Sequence, residues 1–154
     1  MKLKQLEEDL ALSMKAGKTE RVETLRFLIS AVRNAAAAKY ANAWEASMTE
    51  EDVADGVKKQ IKTHKESIEA FEKAGRNDLV AREKGQLDIL MEFAPKELTD
   101  DELKALLAPI AKNGEKPQPA GRQDFGLLMK QAMEKVRGQA DGGRVAAALK
   151  NLLQ

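Results

Sequence analysis

Few side chains in this sequence can do chemistry, and their types limit what that chemistry can be. His64 is the single histidine, and there is no cysteine. A thiolate zinc site, a disulfide, a cysteine nucleophile and a multi-histidine metal centre are therefore excluded, and neither a metal nor another cofactor is expected. An imidazole can serve as a base or a ligand. No serine is set up as a nucleophile by G-x-S-x-G, however, and G-x-x-x-x-G-K-[ST] and G-x-G-x-x-G are also absent. His64 falls on the apolar stripe of a helix, which points to a packed ring with a satisfied hydrogen bond.

Glu83 lies on the inward side of the next helix, where a carboxylate needs a partner or its proton. Arg26 and Arg76 are the candidates, because a guanidinium can donate two parallel hydrogen bonds to a carboxylate. The expectation is a structural ion pair, Glu83 with Arg26, holding helices together. A general acid is the other use of such a group, but no second carboxylate at helical spacing shares its face. No catalytic residue is assigned.

The remaining chemistry is cationic. Lys58, Lys62 and Lys65 recur at i, i+4 and i+7 with Lys59 beside them, yet Lys62–Glu66, Lys65–Glu69 and Glu69–Lys73 are the i,i+4 pairs of a solvated helix face. Toward the C-terminal end, Arg122, Lys130, Lys135, Arg137, Arg144 and Lys150 outnumber Asp124, Glu134 and Asp141. Lys130, Lys135, Arg137, Arg144 and Lys150 fall on or near two helices joined by "GQADGG", and they form the candidate nucleic-acid-binding set. Gly142 and Gly143 leave backbone N–H groups at a helix start open to an anion, with Arg144 beside them. A small basic helical tail suits contact with an RNA backbone; the alternative is a set of caps with solubilising lysines. Nothing resembles an aromatic platform for single strands. The net charge of +1 also rules out a bulk polycation.

The elements that position these groups are helical throughout. Alanine, leucine, lysine and glutamate dominate, and aromatic residues make up only 4%. Stripes at Leu3, Leu6, Leu10, Met14; at Val22, Leu25, Ile29, Val32, Ala36; at Val53, Val57, Ile61, His64, Ile68, Phe71; and at Leu79, Glu83, Leu87, Leu90, Met91 predict four amphipathic helices. Gly17 and Gly75 stop the first and third; Thr49 caps the third and Asn77 the fourth. "YANAWEAS" breaks the pattern.

Pro95 ends the bundle, and Thr99 with Glu102 reads as a capping box opening a fifth helix. "KNGEKPQPAGRQD" at 112–124 reads as a loop. Phe125, Leu128, Met129, Ala132 and Val136 make a sixth stripe, and Val145, Ala148, Leu149 and Leu152 a seventh. Gly138 is placed as a C-cap and Asp141 as an N-cap between them. The expected fold is all-α: a four-helix N-terminal bundle over 1–95 and a small three-helix C-terminal domain over 96–154. No apolar run approaches the ~18 residues of a membrane span, and the start carries acids within its apolar pattern, unlike a targeting peptide. A cytoplasmic protein is expected.

Three stretches in order resemble the YqeY family: "LEEDLALSMKAGKTERVETLRFLISAVRN", "KESIEAFEKAGRNDLVAREKGQLDILMEFAPKELTDDEL" and "DFGLLMKQAMEKVRGQADGGRVAAALKNLL". The resemblance covers essentially the whole chain and implies a helical bundle followed by a three-helix tail. A similar tail ends the B subunit of the glutamine-dependent aminoacyl-tRNA amidotransferase, where the resemblance implies contact with the body of the tRNA. On that basis Lys130, Arg137, Arg144 and Lys150 would contact phosphate, although the turn here reads Asp141-Gly142-Gly143 where the amidotransferase tail has asparagine-proline. The resemblance also brings a family-level label of carbon–nitrogen ligase with glutamine as amido donor. The large domain that activates the carboxylate with ATP has no counterpart here. The expected function is a non-catalytic accessory protein that binds tRNA or associates with a tRNA amidotransferase. The competing reading is a protein–protein module that docks on an enzyme or ribosome without touching RNA.

Overall fold

The structure, a computed structural model, describes residues 1–114 and 123–153. In order these form α1 (Leu3–Lys15), α2 (Thr19–Tyr40), a 3₁₀ turn (Ala41–Ala43), the short α3 (Trp44–Ser47), α4 (Glu50–Lys73), α5 (Asn77–Met91), α6 (Asp100–Gly114), α7 (Gln123–Val136) and α8 (Gly142–Leu153). The described residues contain no strand, so the protein is all-α, as its composition predicts. None of these helices is long and apolar enough to cross a membrane. The chain divides into two compact units, Met1–Ala94 and Pro95–Gln154, each with its own core.

In the first unit α2 packs against α1, α4 and α5, and α4 and α5 form a hairpin. Leu6, Leu25, Leu28, Val32, Val53, Val57 and Leu90 are almost wholly removed from water. Each such leucine contributes about 1.5–3 kcal/mol relative to an exposed one. Val32 sits so close to Gly56 that a Cβ built there would come within 2.5 Å of Val32 Cγ2. The absence of a side chain at Gly56 is therefore what lets α2 and α4 approach. Gly17 and Gly75 end α1 and α4 with φ of 68° and 70°, a conformation costly for any residue with a Cβ. The amides beyond them fold back: Lys18 N–H donates to Ser13 O and Arg76 N–H to Phe71 O, both at 3.0 Å.

Two starts differ in kind. Thr49 caps α4 with a reciprocal box, its Oγ1 accepting from Asp52 N–H at 3.2 Å while Asp52 accepts from Thr49 N–H at 2.8 Å. At α5 the N-cap position is Arg76 and makes no side-chain cap bond; Asn77, expected as the cap, is the first helical residue. "YANAWEAS" becomes the 3₁₀ turn and α3.

In the second unit Leu103, Leu107, Leu128, Ala132, Val136, Val145 and Leu149 build the core. The expected Thr99–Glu102 box is present, with Thr99 N–H donating to Glu102 Oε2 at 2.9 Å. Helix α6 runs through Pro109, which has no N–H to give the carbonyl of Ala105. Of the loop expected over 112–124, residues 112–114 and 123–124 are helical instead, and 115–122, including Arg122, lie outside the described residues. Between α7 and α8, Arg137 and Gly138 both take positive φ, 47° and 77°.

Candidate functional site

The tail cations differ in their surroundings. Arg144 is turned inward on its own unit: one guanidinium nitrogen donates to Leu98 O and to Asp100 Oδ1, both at 2.8 Å, and Glu97 lies at 4.0 Å. The Asp100 carboxyl is held below its ordinary range by that guanidinium. Arg144 thus joins the start of α8 to the start of α6, which corrects its expected role as an open phosphate contact. At the expected anion site of Gly142–Gly143 the helix start carries a carboxylate of the protein itself. Asp141 Oδ1 accepts from Arg144 N–H at 2.9 Å, so the protein's own carboxylate already caps this helix start. The physical reason is proximity: an aspartate at the N-cap lies within reach of the amide three residues on.

Lys130, Lys135, Arg137 and Lys150 are exposed. Lys130 and Lys135 are five residues apart on α7, and at 3.6 residues per turn their side chains leave the axis about 140° apart. The Lys150 ammonium lies 5.9 Å from the Phe125 ring centre. What remains of the expected set is four exposed cations. In the other unit, Lys62–Glu66 and Lys73–Glu69 pair at 3.9 and 2.9 Å along α4, as a solvated face would.

His64 and Glu83, treated separately in the sequence, meet. His64 Nδ1 and Glu83 Oε2 lie 2.6 Å apart across the α4–α5 hairpin, and both side chains are largely buried. An ionised carboxylate only accepts, so the ring donates from Nδ1, and a neutral ring keeps its lone pair on Nε2. The expected Glu83–Arg26 pair is not formed. Arg26 is exposed, with its guanidinium 3.9 Å from Met14 Sδ, and Arg76 pairs with its neighbour Asp78 at 3.2 Å. Position 26 follows the inward Leu25 by one residue, which turns it 100° away from the stripe that α2 gives the core.

The pair borders a cavity of about 470 Å³ between α2, α4 and α5. Gln60, one turn before His64, also lines it; this residue is 9% exposed and its Oε1 has no hydrogen-bond partner. Sequence reasoning missed Gln60. Its signal was there to read, because it sits three residues after Val57 and four before His64, inside the apolar stripe. A larger cleft of about 690 Å³ lies by α1 and α4, but its Arg33 and Glu7 are paired with each other and the Met1 ammonium faces Glu50 at 3.6 Å.

Two further polar clusters are structural. Arg21 donates to Asp9 through Nε and Nη2 at 2.9 and 2.8 Å and to Glu92 at 2.6 Å, while stacking 5.2 Å from the Phe93 ring centre. Asp52 accepts from Lys39 at 2.7 Å and from Tyr40 at 2.8 Å as well as from Thr49. Burial pushes the Asp52 carboxyl up, but these donors outweigh it and hold it at about 2. Among the described residues no group of three or more His, Cys, Asp or Glu side chains is placed to hold a metal ion.

Comparison with known proteins returns the same helical family along the chain. The family described as Yqey-like protein matches residues 3–153. A protein of Pyrenophora tritici-repentis named Altered inheritance of mitochondria protein 41, mitochondrial, is 27% identical over 138 residues, covering 90% of this chain and 72% of that one. Uncharacterized protein C22F3.15 of Schizosaccharomyces pombe is 36% identical over 84 residues, covering 54% of this chain and 63% of its own.

Proposed function

The chain belongs to the Yqey-like protein family, and from that premise we propose that it is a non-catalytic accessory protein whose C-terminal unit contacts the backbone of tRNA, in free tRNA or beside a tRNA amidotransferase. The observation that carries this reading is the outward placement of Lys130, Lys135, Arg137 and Lys150 on a unit whose tail sequence resembles the tRNA-contacting end of the amidotransferase B subunit. Contacts of this kind are electrostatic and independent of base sequence. Arg144 is assigned to holding the unit together rather than to RNA. The cytoplasmic compartment is part of the same proposal; the fungal relative is named as a mitochondrial protein.

A salt titration of binding to bulk tRNA tests it. Each phosphate contact contributes roughly 0.7–0.9 to the log–log salt slope, so Lys130→Ala with Lys150→Ala should flatten the slope by between one and two. Arg144→Ala should leave the slope unchanged and lower the melting temperature. Absence of salt-dependent tRNA binding rejects the reading. The second reading, docking on a protein, is favoured by the exposure of Leu127 at 57% and Leu153 at 36% on this unit. Stable complex formation with a purified amidotransferase, abolished by Leu127→Ser and insensitive to tRNA, would select it.

A further inference from the structure

The cavity of the first unit contains a group that the fold does not use. Gln60 is buried on α4, its Oε1 meets no donor, and it sits one turn from a histidine already oriented by Glu83. An amide oxygen buried without a donor works against folding. A methionine would fill the same space on the helix without that penalty. We propose that the cavity binds a small organic cation, a primary ammonium carried on an aromatic or aliphatic stem, whose N–H groups are accepted by Gln60 Oε1 and His64 Nε2.

Three features select this chemistry. In the neutral ring, Nδ1–H donating to the Glu83 carboxylate leaves Nε2 as the acceptor, and Nε2 has no protein partner among the described residues. Acceptors at both Gln60 and His64 call for a ligand rich in N–H. The charged lining is Glu23, Arg82 and Glu83, with Arg82 and Glu23 3.6 Å apart; two carboxylates against one guanidinium favour a cation over an anion. The rest of the wall is largely apolar and includes Phe71, and Phe27 lines the cavity while remaining 65% exposed. Aromatic faces of this kind attract an ammonium or cover its stem. A volume of about 470 Å³ is that of a small-molecule site. The assignment is independent of the tRNA reading, since none of its residues belongs to α6–α8.

The test titrates the full chain with 2-phenylethylamine and follows backbone ¹H–¹⁵N shifts, with 3-phenylpropanoate as an anion of similar shape. Saturable shifts are expected at Thr63, Ser67 and Gln86, which line the cavity, with the anion binding at least about tenfold more weakly. Gln60→Met keeps the side-chain volume and removes the acceptor. It should weaken amine binding about tenfold or more, while the melting temperature holds or rises. A purely structural glutamine would behave in the opposite way, with a lower melting temperature and unchanged amine affinity. If Gln60→Met does not fold, Phe27→Ala at its exposed position carries the test and should weaken the amine about two- to fivefold. No saturable shift with the amine, equal binding of the anion, full affinity in folded Gln60→Met, or an unaffected Phe27→Ala each overturns the assignment.

Discussion

The two units use their charges differently. In Met1–Ala94, charged side chains join helices that are distant in sequence: Arg21 links Asp9 to Glu92, Lys39 reaches Asp52, and His64 meets Glu83. In Pro95–Gln154 Glu102 and Asp141 cap the start of their own helix, and four of the five expected cations are exposed. Arg144 is bonded to both Leu98 and Asp100. The contrast shows that residue type alone does not mark a binding group. A cation already satisfied by the protein has little left for a ligand, and a buried amide that nothing satisfies is a better pointer than a surface lysine.

The contrast can be broken, and the largest effect should come from the cores. Leu149→Ala empties a fully buried position among α6–α8. It should cost about 2–5 kcal/mol, read as lost amide-exchange protection in α6–α8 with α1–α5 still protected. Equal loss throughout would mean that the two cores unfold as one.

A smaller effect tests the cross-linking charges. Asp52 is held at about 2, below its ordinary 3.8. A carboxyl depressed in the folded state adds stability that is full above its unfolded value and disappears as pH falls through the folded one. Asp52→Asn should therefore lose on the order of 2 kcal/mol at pH 7, and the difference from the parent should close between about pH 4 and pH 2. A difference that persists at pH 2 would assign the loss to packing instead. The smallest effect sharpens the picture of the tail. Arg137 holds φ of 47°, so Arg137→Gly should be more stable than Arg137→Ala by about 1 kcal/mol in denaturant unfolding. The same substitution should reduce the salt slope of tRNA binding if this side chain contacts phosphate.

Most helices could be read directly. The stripes over α1, α2, α4 and α5 place Leu6, Leu25, Ile29, Val32, Val53, Val57, Ile61 and Leu90 inside, and all are buried. Thr49 and Thr99 announce their helices because a capping box needs only residues three apart. Periodicity was less reliable at stripe ends, where Met14 and Met91 are half exposed or nearly so. Helix α6 also continues past Lys112 to Gly114, although the glycine and proline residues that follow signal a loop from Lys112 on.

The site was legible only in part. The sequence placed His64 and Glu83 each on an inward face but assigned Glu83 the wrong partner, since complementary charge is a criterion many arginines meet and only packing chooses among them. It marked Arg144 as a cation without indicating that Leu98 and Asp100 would take it.

The sequence by itself determined an all-helical chain, the helix starts at Thr49 and Thr99 and most of the stripe residues facing the first core. These depend on 3.6-residue periodicity and on bonds between near neighbours. Tertiary structure alone decided which polar groups meet across helices and which, like Gln60 Oε1, are left unmet. That outcome depends on how helices separated by many residues pack, down to the missing side chain at Gly56 that lets Val32 approach. No local pattern encodes such distances.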